Sequence, residues 1–138
     1  NLRKGTLHFN SKNVIYLLTC NTCNKQYIWS TKTRFRERLN NYKTKFRMYF
    51  RKKQSGLLQQ SDPIPQANLF EHFIAHGNII GFESGKNKDE DWSSWSFQLI
   101  DGLPNELKLL ERESFWQHQL GTFLPHGLND REVSIKSY

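Results

Sequence analysis

Residues 13–20, NVIYLLTC, form an apolar run of strand length broken only at its first residue and at Thr19. A short run of this kind predicts a strand covered on both faces, because neither row of its alternating side chains suits water. Other layers must therefore lie above and below it. A turn, Cys20–Asn24 (CNTCN), leads into Lys25–Trp29 (KQYIW), a second short strand. So tight a connection predicts antiparallel pairing. Thr31–Lys53 reads as a long helix, with Phe35, Leu39, Tyr42, Phe46, Tyr49 and Phe50 at helical spacing. Gln54–Gln66 is a loop punctuated by Gly56, Pro63 and Pro65. Asn68–His76 is a short helix capped by Asn68 and stopped by Gly77. Gly81–Asp91 is a polar surface loop. Trp95, Phe97 and Leu99 then alternate with Ser94, Ser96 and Gln98, the pattern of a third strand with one covered face. Asn105–Leu120 is a helix opened by Asn105 after Pro104 and closed by Gly121, followed by a tail with Gly127-Leu128-Asn129. This order predicts a small α/β domain of the α+β kind, a three-stranded antiparallel or mixed sheet flanked by helices.

That last helix contains an anomaly. Its apolar stripe runs Leu109, Trp116, Leu120, and Glu113 falls on the same stripe. Glu106 and Glu111 lie toward the polar side. An ionised carboxylate in a partly apolar setting is costly unless a cation or donor meets it. Either an arginine or a metal ion is expected beside Glu113.

At 138 residues the chain is long enough for one domain with a substantial core, and it contains no internal repeat. The absence of Met at Asn1 suggests a fragment of a longer polypeptide. No run approaches the roughly 18 apolar residues of a membrane span, and no signal-peptide pattern opens the chain. Lys and Arg number 20 against 13 Asp and Glu, a net charge of +7. Such an excess favours an anionic partner, nucleic acid before membrane, since no basic amphipathic helix here has a clean lipid-facing side.

Both cysteines lie in one C-x2-C, Cys20 and Cys23, and His72 and His76 stand at i, i+4 on one helix face. C-x2-C followed by H-x3-H supplies the ligand set of a closed tetrahedral zinc site. The intervening 48 residues are far more than a classical finger allows, so the ion would clip the hairpin to the short helix. A redox pair is the rival, but that chemistry favours a C-x2-C at a helix start, and here a strand follows. Two free thiols beside a surface histidine pair are the plain alternative. His8, His118 and His126 are alternative ligands or surface residues.

Arg38 lies at the edge of the long helix's buried stripe, three after Phe35 and four before Tyr42, where it reaches the sheet side. Arg34 and Arg36 point away. Farther along, Lys43, Lys45, Arg47, Arg51, Lys52 and Lys53 surround Phe46, Tyr49 and Phe50. These six form either a solvated face or a phosphate-tracking DNA surface with steep salt dependence.

Val14-Ile15-Tyr16, then Tyr27-Ile28-Trp29 across a turn, then Arg38, Glu113 and Asn129 in that order resemble the GIY-YIG nuclease family. The closer likeness is to the endonuclease domain of Penelope-like retroelements, which places a C-x2-C between the tyrosine motifs and a histidine pair downstream. The stretches VIYLLTCNTCNKQYI, TRFRERLN, EHF and ERESFWQHQLGTFLPHGLN carry the resemblance, from about Val14 to Asn129. It implies a metal-dependent endonuclease that nicks duplex DNA so that the freed 3′-hydroxyl primes reverse transcription. A reverse transcriptase domain and the element RNA would be partners in the same complex, working in the nucleus.

By the same resemblance, Tyr16 is the general base or water-positioner and Tyr27 orients water or phosphate. Arg38 stabilises charge on the phosphorane. Glu113 holds Mg²⁺ or Mn²⁺, Asn129 fixes the site by hydrogen bonds, and Tyr42 falls where relatives carry His or Tyr. A tyrosine with a pKa near 10 is a poor base unless cations lower it, which Arg38 and a metal would do. Val14 and Trp29 replace the motif glycines. An indole at position 29 would crowd the phosphate or stack on a base. The alternative functions are a zinc-stabilised nucleic-acid-binding module with weakened cleavage and a thiol–disulfide protein.

Overall fold

In a computed structural model of the chain, residues 10–58, 67–76 and 90–130 are described. Strand β1, Val14–Cys20, is central, with β2, Gln26–Thr31, on one side and β3, Trp95–Gly102, on the other, both antiparallel to it. The three strands and three helices make an α+β fold with a small sheet flanked by helices. Residues Val14 to Leu18 of β1 are all buried, as an unbroken apolar run demands.

One face of β1, Val14, Tyr16, Leu18 and Cys20, packs against α1, Phe35–Gln54, and α2, Ala67–His76. From α1 come Phe35, Tyr42, Phe46, Tyr49 and Phe50, and from α2 Leu69, Phe70 and Phe73. The opposite face, Ile15 and Leu17, joins Ile28 and Leu109 of α3, Leu109–Leu120. The 2.0 and 3.6 periodicities of the sequence thus resolve into a helix–sheet–helix sandwich.

Several boundaries move. Thr31 ends β2, and α1 begins at Phe35, after Arg34 in extended conformation. The last helix opens at Leu109, because Asn105 Oδ1 accepts from the Leu107 amide (2.9 Å) and closes a local turn before the helix. Leu120, expected on the buried stripe, is exposed, and the buried row is Leu109, Glu113, Gln117. Gly121 does close α3, with the left-handed φ of 60° that favours glycine. None of the described helices is long and apolar enough to cross a membrane. The expected stop at Gly77, His8, Pro63, Pro65 and most of the Gly81–Asp91 loop lie outside the described residues.

Candidate functional site

Two polar sites are built on this frame, near opposite ends of β1. The first surrounds Trp29. Cross-strand pairing sets Tyr16 opposite Trp29 and Leu18 opposite Tyr27. The Trp29 ring lies 5.4 Å from Tyr16, 4.8 Å from Tyr27 and 4.5 Å from Tyr42, while the Arg38 guanidinium sits over it at 5.6 Å. Tyr16, Tyr27, Arg38 and Tyr42, spread over 27 positions in the chain, therefore share a single aromatic neighbour. At 5% exposure Trp29 is no open platform for a nucleobase, which corrects the stacking role expected for it.

Glu113 approaches β2 from α3, which packs on the other face of the sheet. It is only 5% exposed. Ser30 Oγ of β2 donates to its Oε1, and Gln117 Nε2 donates to its Oε2 at 3.1 Å. Protein donors thus take part of the role expected of a cation. The Glu113 charge is felt at the hydroxyls of both Tyr16 and Tyr27.

Burial pushes the Tyr16 hydroxyl well above its ordinary value of 10, and the opposing pull of the neighbouring Arg38 is smaller. Tyr27 is also raised, by burial and then by Glu113, with exposed Asp130 adding to the effect. Burial raises Tyr42 in the same direction. All three hydroxyls stay protonated at neutral pH, so each can donate a hydrogen bond, and the pull of Arg38 alone does not offset the burial of Tyr16. Tyr16 Oη has Arg38 close by, while Tyr42 Oη has no hydrogen-bond partner among the described residues. A buried hydroxyl in that state is uncommon and costly.

Asn129 is tied to the site through the backbone of β2. Its Oδ1 accepts from the Ile28 amide (2.8 Å) and Thr122 Oγ1 (2.7 Å), and its Nδ2 donates to the Ile28 carbonyl (3.1 Å). Ile28 lies between Tyr27 and Trp29, so the amide fixes the strand that presents both. Gly127 permits this approach, since a Cβ there would fall 2.2 Å from the Thr122 carbonyl oxygen.

The second site is the Cys/His corner. Asn24, at φ 66°, turns the chain so that its amide donates to the Cys20 carbonyl (2.7 Å) and the Cys20 amide donates to the Lys25 carbonyl (2.9 Å). Asn21 fastens this turn to Ser93, Ser94 and Ser96 beside β3, and Thr22 Oγ1 donates to the His76 carbonyl (2.7 Å). The ligand atoms of Cys20, Cys23, His72 and His76 all fall within 4.8 Å of one another and can hold a metal ion. A tetrahedral ion with bonds of about 2.0–2.3 Å needs ligand separations of roughly 3.3–3.8 Å, so small side-chain shifts suffice. Cys23 Sγ already lies 3.2 Å from His72 Nε2, and the imidazoles stack at 4.3 Å. Burial, His76 and Lys25 lower the His72 pKa, which favours the neutral ring that ligates metals. Both thiols are free.

The basic row on α1 divides. Arg47 Nε donates to both carboxylate oxygens of Glu90 at 2.8 Å, and the Glu90 side chain is almost wholly covered. Lys53 pairs with Glu71, and Lys43 lies 5.1 Å over Trp92, its pKa lowered first by burial. These contacts give Arg47 a structural task, since withdrawing it would strand a buried acid. Lys45, Arg51 and Lys52 face solvent.

Sequence reasoning missed Ser30 and Gln117. The signal for Gln117 was available, because it follows Glu113 by one helical turn on the buried row. No family model matches this chain, and neither does any curated protein or solved structure.

Proposed function

We propose that this chain is a metal-dependent DNA endonuclease domain of the GIY-YIG kind that nicks duplex DNA to prime reverse transcription of a retroelement. The observation that supports it is the gathering of Tyr16, Tyr27 and Arg38 about Trp29, with the charge of the buried Glu113 felt at both tyrosine hydroxyls. Tyr16 and Tyr27, kept neutral, donate hydrogen bonds to the attacking water or a phosphate oxygen. Arg38 faces the charge that grows on the phosphorane as the water adds. Tyr42 offers a further donor behind Trp29, and Asn129 holds β2 in place. Glu113 suits Mg²⁺ or Mn²⁺, hard ions that take one or two carboxylates and complete their shells with water and phosphate oxygens. When bound, such an ion polarises the phosphate and stabilises the leaving 3′-oxygen. Zn²⁺ is the ion we assign to the Cys/His corner, where thiolates and imidazoles match its preference. The exposed Lys45, Arg51 and Lys52 are the contacts to DNA backbone. A reverse transcriptase domain, element RNA and a nuclear setting complete the reading.

The test is conversion of supercoiled plasmid to the open circle in Mg²⁺ or Mn²⁺. Glu113→Gln is expected to lower the rate about 10³-fold, some 4 kcal/mol, while DNA binding persists. Equal nicking by parent and variant would overturn the assignment of Glu113. One observation favours a second reading, a zinc-stabilised nucleic-acid-binding module with weakened cleavage: Tyr16 is fully enclosed and Trp29 fills the space beside it. Retained DNA binding with no nicking by the parent in either metal would select it.

A further inference from the structure

Ser30 and Gln117 converge on one carboxylate from two elements. Ser30 Oγ donates to Glu113 Oε1 from β2, and Gln117 Nε2 donates to Oε2 at 3.1 Å from within α3. Donors and acceptor are all buried. The Ser30 bond joins α3 to the strand that carries Tyr27 and Trp29, so the orientation of the carboxylate is set relative to those side chains. The Gln117 bond fixes the other oxygen by one helical turn. Together they remove rotation of the carboxylate about its last torsion, which an unrestrained glutamate would lose only on meeting a ligand.

Satisfying a buried acid needs donors, but it does not require them to come from both sides and to lock both oxygens. We propose that Ser30 and Gln117 are positioning residues that orient the Glu113 carboxylate for a divalent cation with oxygen ligands. The inference rests on the reading of Glu113 given above. Groups that hydrogen-bond a metal ligand commonly change metal affinity by about 10–100-fold when removed.

The test is direct Mn²⁺ binding by the intact chain, followed by calorimetry and by water-proton relaxation. Glu113→Gln supplies the background from the Cys/His corner. Ser30→Ala and Gln117→Leu are expected to weaken the Glu113-dependent binding about 10–100-fold, with the near-ultraviolet circular dichroism unchanged. Ser30→Thr, which keeps the hydroxyl, is expected to restore affinity to within about threefold of the parent. Should Ser30→Ala fail to fold, Gln117→Leu and Ser30→Thr carry the decision. Unchanged Mn²⁺ affinity in folded Ser30→Ala and Gln117→Leu would overturn the positioning role while leaving Glu113 as ligand. Equal Mn²⁺ binding by the parent and Glu113→Gln would overturn the Glu113 reading and this inference with it.

Discussion

The Cys/His corner and the Glu113 pocket are both small polar sites in an apolar sandwich, yet they are held together differently. At the corner, two thiols and two imidazoles face one another within 4.8 Å. The backbone around them is secured by Asn21 and Thr22, but the four side chains have chiefly each other to meet. Around Glu113, protein donors already meet the carboxylate, and Asn129 pins the strand beneath, while Tyr42 keeps an unmet hydroxyl. The first arrangement has the ligands that an ion would order. The second is ordered beforehand by hydrogen bonds within the protein. Loss of the proposed ions should therefore damage the fold at the corner and leave it intact around Glu113.

Chelation is the strongest way to break this contrast. Stripping the corner with a zinc chelator, or replacing Cys23 with Ser, should cost on the order of 5 kcal/mol, less than the ~10–16 kcal/mol of isolated finger peptides because a core already joins these elements. Thermal melts followed by circular dichroism check it, and a melt indifferent to chelation would erase the distinction.

Trp29→Gly restores the glycine that the family resemblance calls for. Because the ring is packed between Tyr16, Tyr27 and Tyr42, the change should cost about 3–5 kcal/mol in urea unfolding and leave nicking no faster. A neutral effect would mean that the pocket is less ordered than its packing implies.

Asn129→Ala removes three side-chain hydrogen bonds and leaves the Ile28 amide and Thr122 hydroxyl unmatched. A loss of about 2–3 kcal/mol is expected, together with faster amide exchange at Ile28.

The smallest effect lies at neither site. Burial pushes the Glu71 carboxyl up, but hydrogen bonds from Lys53 and Tyr49 outweigh it and hold the group below its ordinary value of 4.5. A depressed folded-state pKa contributes stability above pH 4.5 that is lost as pH falls through the folded value. Glu71→Gln should flatten that acid limb by less than about 1 kcal/mol, since the pair is exposed. Acid titrations of the two proteins measure it.

The frame was readable in the sequence where one physical demand dominated. The run at β1 had to be covered twice, and the α1 stripe and the alternation at Trp95, Phe97 and Leu99 each had one solution. Glu113 was readable for the opposite reason, as a charge where none should be. What escaped depended on partners remote in the chain. Ser30 looks like any polar strand residue until α3 is placed against it. Nothing in the spacing of Asn129 points to Ile28, 101 positions earlier. Arg47 and Lys53 looked like members of a uniform basic face, because Glu90 and Glu71 lie on other segments. The start of α3 was misplaced because Asn105 caps a turn as readily as a helix.

β2 lies at the margin of the sheet, where unpaired amides and carbonyls invite a foreign strand to add. The Leu128 amide occupies the Gln26 carbonyl at 2.9 Å, and the Asn129 carboxamide takes both polar groups of Ile28. A side-chain amide here stands in for a fourth strand. The border of β2 is thereby closed to a foreign strand at Gln26 and Ile28, and one asparagine both seals the edge and holds the strand that carries Tyr27 and Trp29.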